Sequence, residues 1–153
     1  MTKQSTSLQL ITSLWSNFFP ANPLPDRELL HYAHTRGWIE DQDERFCNEP
    51  LNRQTAARII HQFMKNELGI PDLPDISPAN VLADLYTCHI CVNHIAQVFL
   101  RGIMTTQTVE RDGVEHQIFN HLGEMTEEEC GIALERITSL FSPLLPEQTL
   151  AKK

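Results

Sequence analysis

One pattern occurs twice in this chain of 153 residues. An amphipathic run closes on Gly and two apolar residues, a polar loop carries a Phe, and a capped helix follows. The first copy reads Gly37-Trp38-Ile39, Phe46 and Leu51-Asn52-Arg53-Gln54-Thr55-Ala56-Ala57; the second reads Gly102-Ile103-Met104, Phe119 and Met125-Thr126-Glu127-Glu128-Glu129-Cys130-Gly131. A short helix-loop-helix unit cannot bury its apolar face alone, so a repeat of this kind implies modules stacked on a shared core. Such scaffolds serve more as binding surfaces than as catalysts, and a non-enzymatic, mostly α-helical fold is the expectation.

Apolar spacing extends that frame. Leu8, Ile11, Leu14, Trp15 and Phe18 mark an N-terminal helix over residues 7–19, ended by Pro20, Pro23 and Pro25. Repeat unit one spans 26–68. Asp26 reads as the cap of a helix carrying Leu29, Leu30 and Ala33, the stretch Glu40 to Glu49 reads as acidic and irregular, and Asn52 caps the next helix. Gly69 closes that helix, whose Ala56, Ala57, Ile59, Ile60, Phe63 and Met64 form one stripe. Pro71 to Pro78 reads as a linker, and unit two spans 76–142. Between Ala79 and Arg101 the spacing fits either one long helix or two with a break near Thr87. Asp112-Gly113, flanked by β-formers, suggests a small hairpin within 105–119. Thr126 and Glu129 form a capping box ahead of a last helix that ends before Pro143.

Size and charge narrow the function. One domain over 1–153 suits the length and the 41% apolar content. The formal charge of -8, with no cluster of Lys and Arg, argues against nucleic acid as a partner. Leu8 to Phe19 is broken by Gln9, Thr12, Ser13, Ser16 and Asn17, which excludes a signal core or membrane span there. A chain complete from Met1 is expected in the cytoplasm with Cys47, Cys88, Cys91 and Cys130 as thiols; one from which a signal peptide was removed belongs to the cell envelope.

The Gly-apolar turn, the Phe46 loop with Pro50, and Leu51-Asn52-Arg53-Gln54 followed by Ala56-Ala57 resemble the bacterial S-layer homology repeat. Unit two matches through Asp75-Ile76, Asp84-Leu85-Tyr86, Gly102-Ile103-Met104, Phe119 and Met125-Thr126-Glu127-Glu128-Glu129. The resemblance implies pseudo-symmetric helical repeats, typically three, that attach non-covalently to an acidic or pyruvylated cell-wall polysaccharide through an Arg at the helix start. It points to Arg53, Asn52, Trp38 and Glu127 as ligand-binding residues, with a polysaccharide or a protein as partner. Two units are evident here, and Glu127 stands where unit one has Arg53, a carboxylate that repels an anionic ligand.

The chemistry-bearing run is Cys88, Cys91 and His94, whose i, i+3 spacing would share one face of a helix. Three readings stay open: buried structural thiols, a zinc site needing a fourth ligand such as Cys47, Cys130 or His61, or a redox pair. The alternative to a binding module is therefore a small metal- or thiol-dependent intracellular protein. Arg53 in a first helical turn opposes the helix dipole, so it reads either as an ordinary exposed Arg or as one serving a ligand or interface. His31 and His34 read as surface residues without carboxylate neighbours, and His116 and His121 as solvated loop residues. Phosphate-binding Gly loops, Gly-x-Ser-x-Gly elbows and His-Glu-x-x-His motifs are absent from the sequence. A two-unit repeat leaves a face uncovered, and either Leu8, Leu14, Trp15 and Phe18 of the first helix or a second copy of the chain is expected to cover it.

Overall fold

The computed structural model describes residues 3–141. Met1, Ser142 and Pro143, which bear on the expected chain start and the expected end of unit two, lie outside the described residues. Six α-helices and one hairpin are present: α1 (Ser7–Phe18), α2 (Asp26–Thr35), α3 (Asp41–Arg45), α4 (Arg53–Asn66), α5 (Val92–Leu100), β1 (Gln107–Arg111), β2 (Val114–Ile118) and α6 (Glu127–Phe141). The strands pair antiparallel, with Arg111 opposite Val114. Asp112 and Gly113 between them have φ of 53° and 76°, the left-handed pair that a tight two-residue hairpin turn requires.

Helix starts follow local chemistry. Thr6 and Gln9 form a reciprocal capping box on α1, and the Asn52 side chain accepts from Thr55 N at 2.9 Å to begin α4. Thr126 and Glu129 exchange the same pair of bonds at the start of α6. Asp26 is inside α2 rather than its cap, because Pro25, with no N–H to satisfy, supplies the extended residue before it. The Glu40 to Glu49 loop holds the short helix α3, since Glu40 and Asp43 cap each other.

The largest departure from the sequence reading lies between Ala79 and Cys91. No long helix forms there; 3-10 turns at Ser77–Val81, Leu85–Thr87 and His89–Cys91 precede α5. The Asp84 carboxylate accepts from Phe119 N and Asn120 N, each at 2.7 Å, and Leu82 and Cys88 are extended at ψ of 117° and 105°. Tertiary hydrogen bonds thus hold the backbone out of the helix that apolar spacing alone would allow.

One core joins both units. Leu10, Ile11, Leu14 and Phe18 of α1, Trp38, Ile59, Ile60 and Phe63 of unit one, and Ile95, Ile103, Phe119, Met125 and Ile137 of unit two are all buried in it. Each such side chain contributes roughly 1.5–3 kcal/mol on leaving water. Helix α1 packs on α2, α4 and α6, so the N-terminal helix covers the face that two units leave open. Of its expected contributors, Leu14, Trp15 and Phe18 are buried and Leu8 is half-buried. The two loop Phe residues part company: Phe119 is fully buried, whereas Phe46 is exposed.

Candidate functional site

The segments entering α1, α4 and α6 meet in a closed cycle of backbone hydrogen bonds. Ser5 N donates to Met125 O at 2.8 Å, Met125 N to Leu51 O at 3.0 Å, and Leu51 N to Ser5 O at 2.8 Å. Isolated bridges Gln4–Thr126, Thr6–Pro50 and Asn52–Glu124 repeat the relation around the cycle. The N-terminal helix is therefore the third equivalent of α4 and α6, a relation the sequence reading missed. Its signal was the Thr6-x-x-Gln9 box, which matches Thr126-x-x-Glu129.

Between α4 and α6 the junction is closed. Arg53 donates through Nε to Phe119 O at 2.8 Å, through Nη1 to Glu129 Oε2 at 2.6 Å and through Nη2 to Thr105 O, with its guanidinium 4.8 Å from the Phe119 ring centre. At 1% exposure, Arg53 is not the ordinary surface Arg of the sequence reading; it is an internal tie between the two units. Burial lowers its pKa from the ordinary value, with Glu129 and then Asp84 opposing the shift. The space left beside it, bounded by Ile103, Met104, Thr105, Met125, Glu129 and Ile132, is about 10 Å³.

Between α6 and α1 the equivalent junction is open. Ser5, Gln9 and Thr12 occupy the places of Met125, Glu129 and Ile132, and Glu127 occupies that of Arg53, accepting from Gln9 Nε2 at 3.3 Å. Nothing among the described residues occupies the place that the Gly102–Thr105 turn fills in unit two. A groove of about 510 Å³ results, walled by Leu8, Ser13, Asp26, Cys130, Gly131 and Leu134 as well. Burial pushes the Cys130 thiol's pKa up, against a hydrogen bond with Ser5.

The other residues expected at a ligand surface separate. Asn52 caps α4. Trp38 is fully buried, donating through Nε1 to Glu67 at 3.0 Å, because its indole packs edge-on against Phe63. Glu127 is exposed and alone of the four lines the groove.

Cys88 and Cys91 are joined by a disulfide, which corrects the expectation of four thiols and takes both thiolates away from a zinc site; Cys47 and Cys130 are free. No group of three or more potential metal ligands occurs among the described residues. Cys88 is half-exposed, while Cys91 is buried at the N-cap of α5. Both line a cleft of about 270 Å³ with Glu40, Gln42, Gln54, Thr55, Arg58, Ile90 and His94. Arg58 is held there by two bonds to Asp43, at 2.7 and 2.8 Å.

Behind the cleft, His94 Nδ1 lies 2.8 Å from His61 Nδ1, and His61 Nε2 lies 2.7 Å from Asp72 Oδ1. The Asp72 carboxylate accepts from His61 Nε2–H. Burial, then the charge of His61, pushes the His94 pKa down to about 4. Burial raises the Asp72 pKa, but hydrogen bonds from His61 and Asn93 outweigh it and the value falls.

The chain matches no known family, curated protein or solved structure.

His116 and His121 are not the solvated loop residues expected, whereas His34 is at the surface as expected. His34 remains exposed but meets Glu44 of α3 at 2.7 Å, a partner brought by the fold rather than by helix register. His121 is buried, paired through Nε2 with Asp84 O at 2.7 Å, and His116 lies on β2. No helix among the described residues is long and apolar enough to cross a membrane.

Proposed function

We propose that the chain is a non-catalytic binding module, built like S-layer homology repeats, that seats a polypeptide partner in the groove between α1 and α6. The observation that carries this reading is the pair of equivalent junctions. In one, the Gly102–Thr105 turn lies against Arg53 and Glu129, closing the space to about 10 Å³; in the other, the same framework leaves about 510 Å³ open. A surface whose twin receives a backbone turn and two apolar side chains is shaped for a similar turn from elsewhere.

Electrostatics choose among partners. Glu127 and Asp26 line the groove, and the chain carries a net charge of -8. An acidic wall polysaccharide would meet repulsion there, whereas a turn bearing a basic residue would complement Glu127 as Arg53 complements Glu129. The hydroxyl and amide groups of Ser5, Thr12, Ser13 and Gln9 suit a peptide backbone. Affinity capture followed by titration with the recovered protein tests this, using the Thr12→Trp and Glu127→Lys variants. Either substitution should weaken binding tenfold or more without lowering the unfolding temperature. Capture that ignores both substitutions, or retention on purified acidic wall glycan that depends on Arg53, overturns the proposal.

A further inference from the structure

We propose that Cys88 and Cys91 form a thiol–disulfide exchange centre with polypeptide dithiols or disulfides as its substrates. The site is separate from the α1/α6 groove and does not depend on the binding role assigned there.

Position and access coincide. The disulfide borders an open cleft of about 270 Å³, with Cys91 packed in the core and Cys88 lying against it. Its two sulfurs are unequal: Cys88 belongs to a half-exposed residue, while Cys91 is 8% exposed at the start of the nine-residue helix α5. An incoming thiolate therefore reaches Cys88 more readily, and the electron pair is displaced onto Cys91 at the start of α5, where the helix dipole favours a thiolate. Ile90, between the two cysteines, is 87% exposed and lines the cleft, presenting an apolar contact for a polypeptide beside the reactive bond. His94 lines the same cleft beside the pair, held by His61.

The exchange balances. A substrate thiol loses its proton to solvent, and its sulfur attacks Cys88 Sγ; the Cys88–Cys91 bond breaks and its electron pair leaves on Cys91. The substrate is now joined to Cys88 as a mixed disulfide. Its second thiolate attacks its own linked sulfur and releases Cys88 as a thiolate, so the substrate dithiol becomes a disulfide while the cysteine pair gains two electrons and takes up two protons. The reverse sequence reduces a substrate disulfide, and a second disulfide of the same class restores the starting state.

The test uses the full chain, reduced and oxidised glutathione, and a peptide holding one disulfide. Incubation of Cys91→Ser with oxidised glutathione should leave one glutathione per chain, mapped to Cys88 by mass spectrometry, within minutes. Wild-type protein should accelerate reduction of the peptide by dithiothreitol at least tenfold, and Cys88→Ser should abolish the acceleration. Three results would overturn the proposal: a folded wild-type disulfide that resists millimolar dithiothreitol, glutathione trapped on Cys91 of a Cys88→Ser variant as readily as on Cys88 of Cys91→Ser, or stoichiometric zinc held by the reduced protein.

Discussion

The α4/α6 and α1/α6 junctions are built on equivalent frameworks and reach opposite states. In the first, a buried guanidinium satisfies two backbone carbonyls and a carboxylate, and the chain's own turn at Gly102–Thr105 fills the remaining space. In the second, Glu127 takes the place of that Arg and the groove stays open. The difference teaches that a residue at a motif's ligand position can be consumed by the fold, while its departure from the motif in the next unit marks where a partner can enter.

The closed junction should be the costlier to break. Arg53→Ala leaves the Phe119 and Thr105 carbonyls and Glu129 without their donor, and removal of one partner from a buried pair costs roughly 3–5 kcal/mol. Urea unfolding should report that loss. The double variant Arg53→Met with Glu129→Leu should recover at least about 1 kcal/mol of it, because no charge is then stranded. If Arg53→Ala costs less than about 1 kcal/mol, the tie between units lies elsewhere.

Acid should strike neither junction first but the α4/α5 contact. His94 has a folded pKa of about 4, below the ordinary imidazole value of about 6.5, so the unfolded chain takes up a proton before the folded one does. Stability is therefore intact above pH 6.5 and declines as pH falls toward 4, by about 2 kcal/mol between pH 7 and pH 5. Burial sets most of this shift, His61, Arg58 and Lys65 add to it, and Asp72 opposes it. His94→Gln should flatten that slope in urea titrations at the two pH values; an unchanged slope would assign the acid response to another group.

Much of this arrangement was written locally. The capping residues Asn52, Thr126 and Glu129, the Asp112-Gly113 hairpin and the α1 stripe act within a few residues of themselves, so spacing exposed them. Arg53 was singled out correctly as unusual, but its partners Thr105, Phe119 and Glu129 lie far along the chain, and no local pattern distinguishes a buried tie from a ligand contact. The 3-10 turns before α5 stayed illegible for a related reason: Asp84 gives its carboxylate to the backbone at Phe119 and Asn120, a use that apolar periodicity cannot register. The cysteine spacing revealed the pair but not its state, since bonding depends on the extended Cys88 that those turns create.

The smallest stability effect separates the open junction from the closed one most sharply. Gly131 lies in the interior of α6 on the groove wall, where a Cβ would meet no atom within 4 Å. The equivalent place in α4 is held by Ala57, which is buried. Gly131→Ala should therefore stabilise the fold by about 0.5–1 kcal/mol, since a helical Gly is replaced without a clash. The added methyl stands in the groove, so affinity for the captured polypeptide should fall two- to fivefold at the same time. A rise in unfolding temperature with unchanged affinity would mean that the partner does not reach this wall, and would move the binding surface toward Glu127 and Gln9.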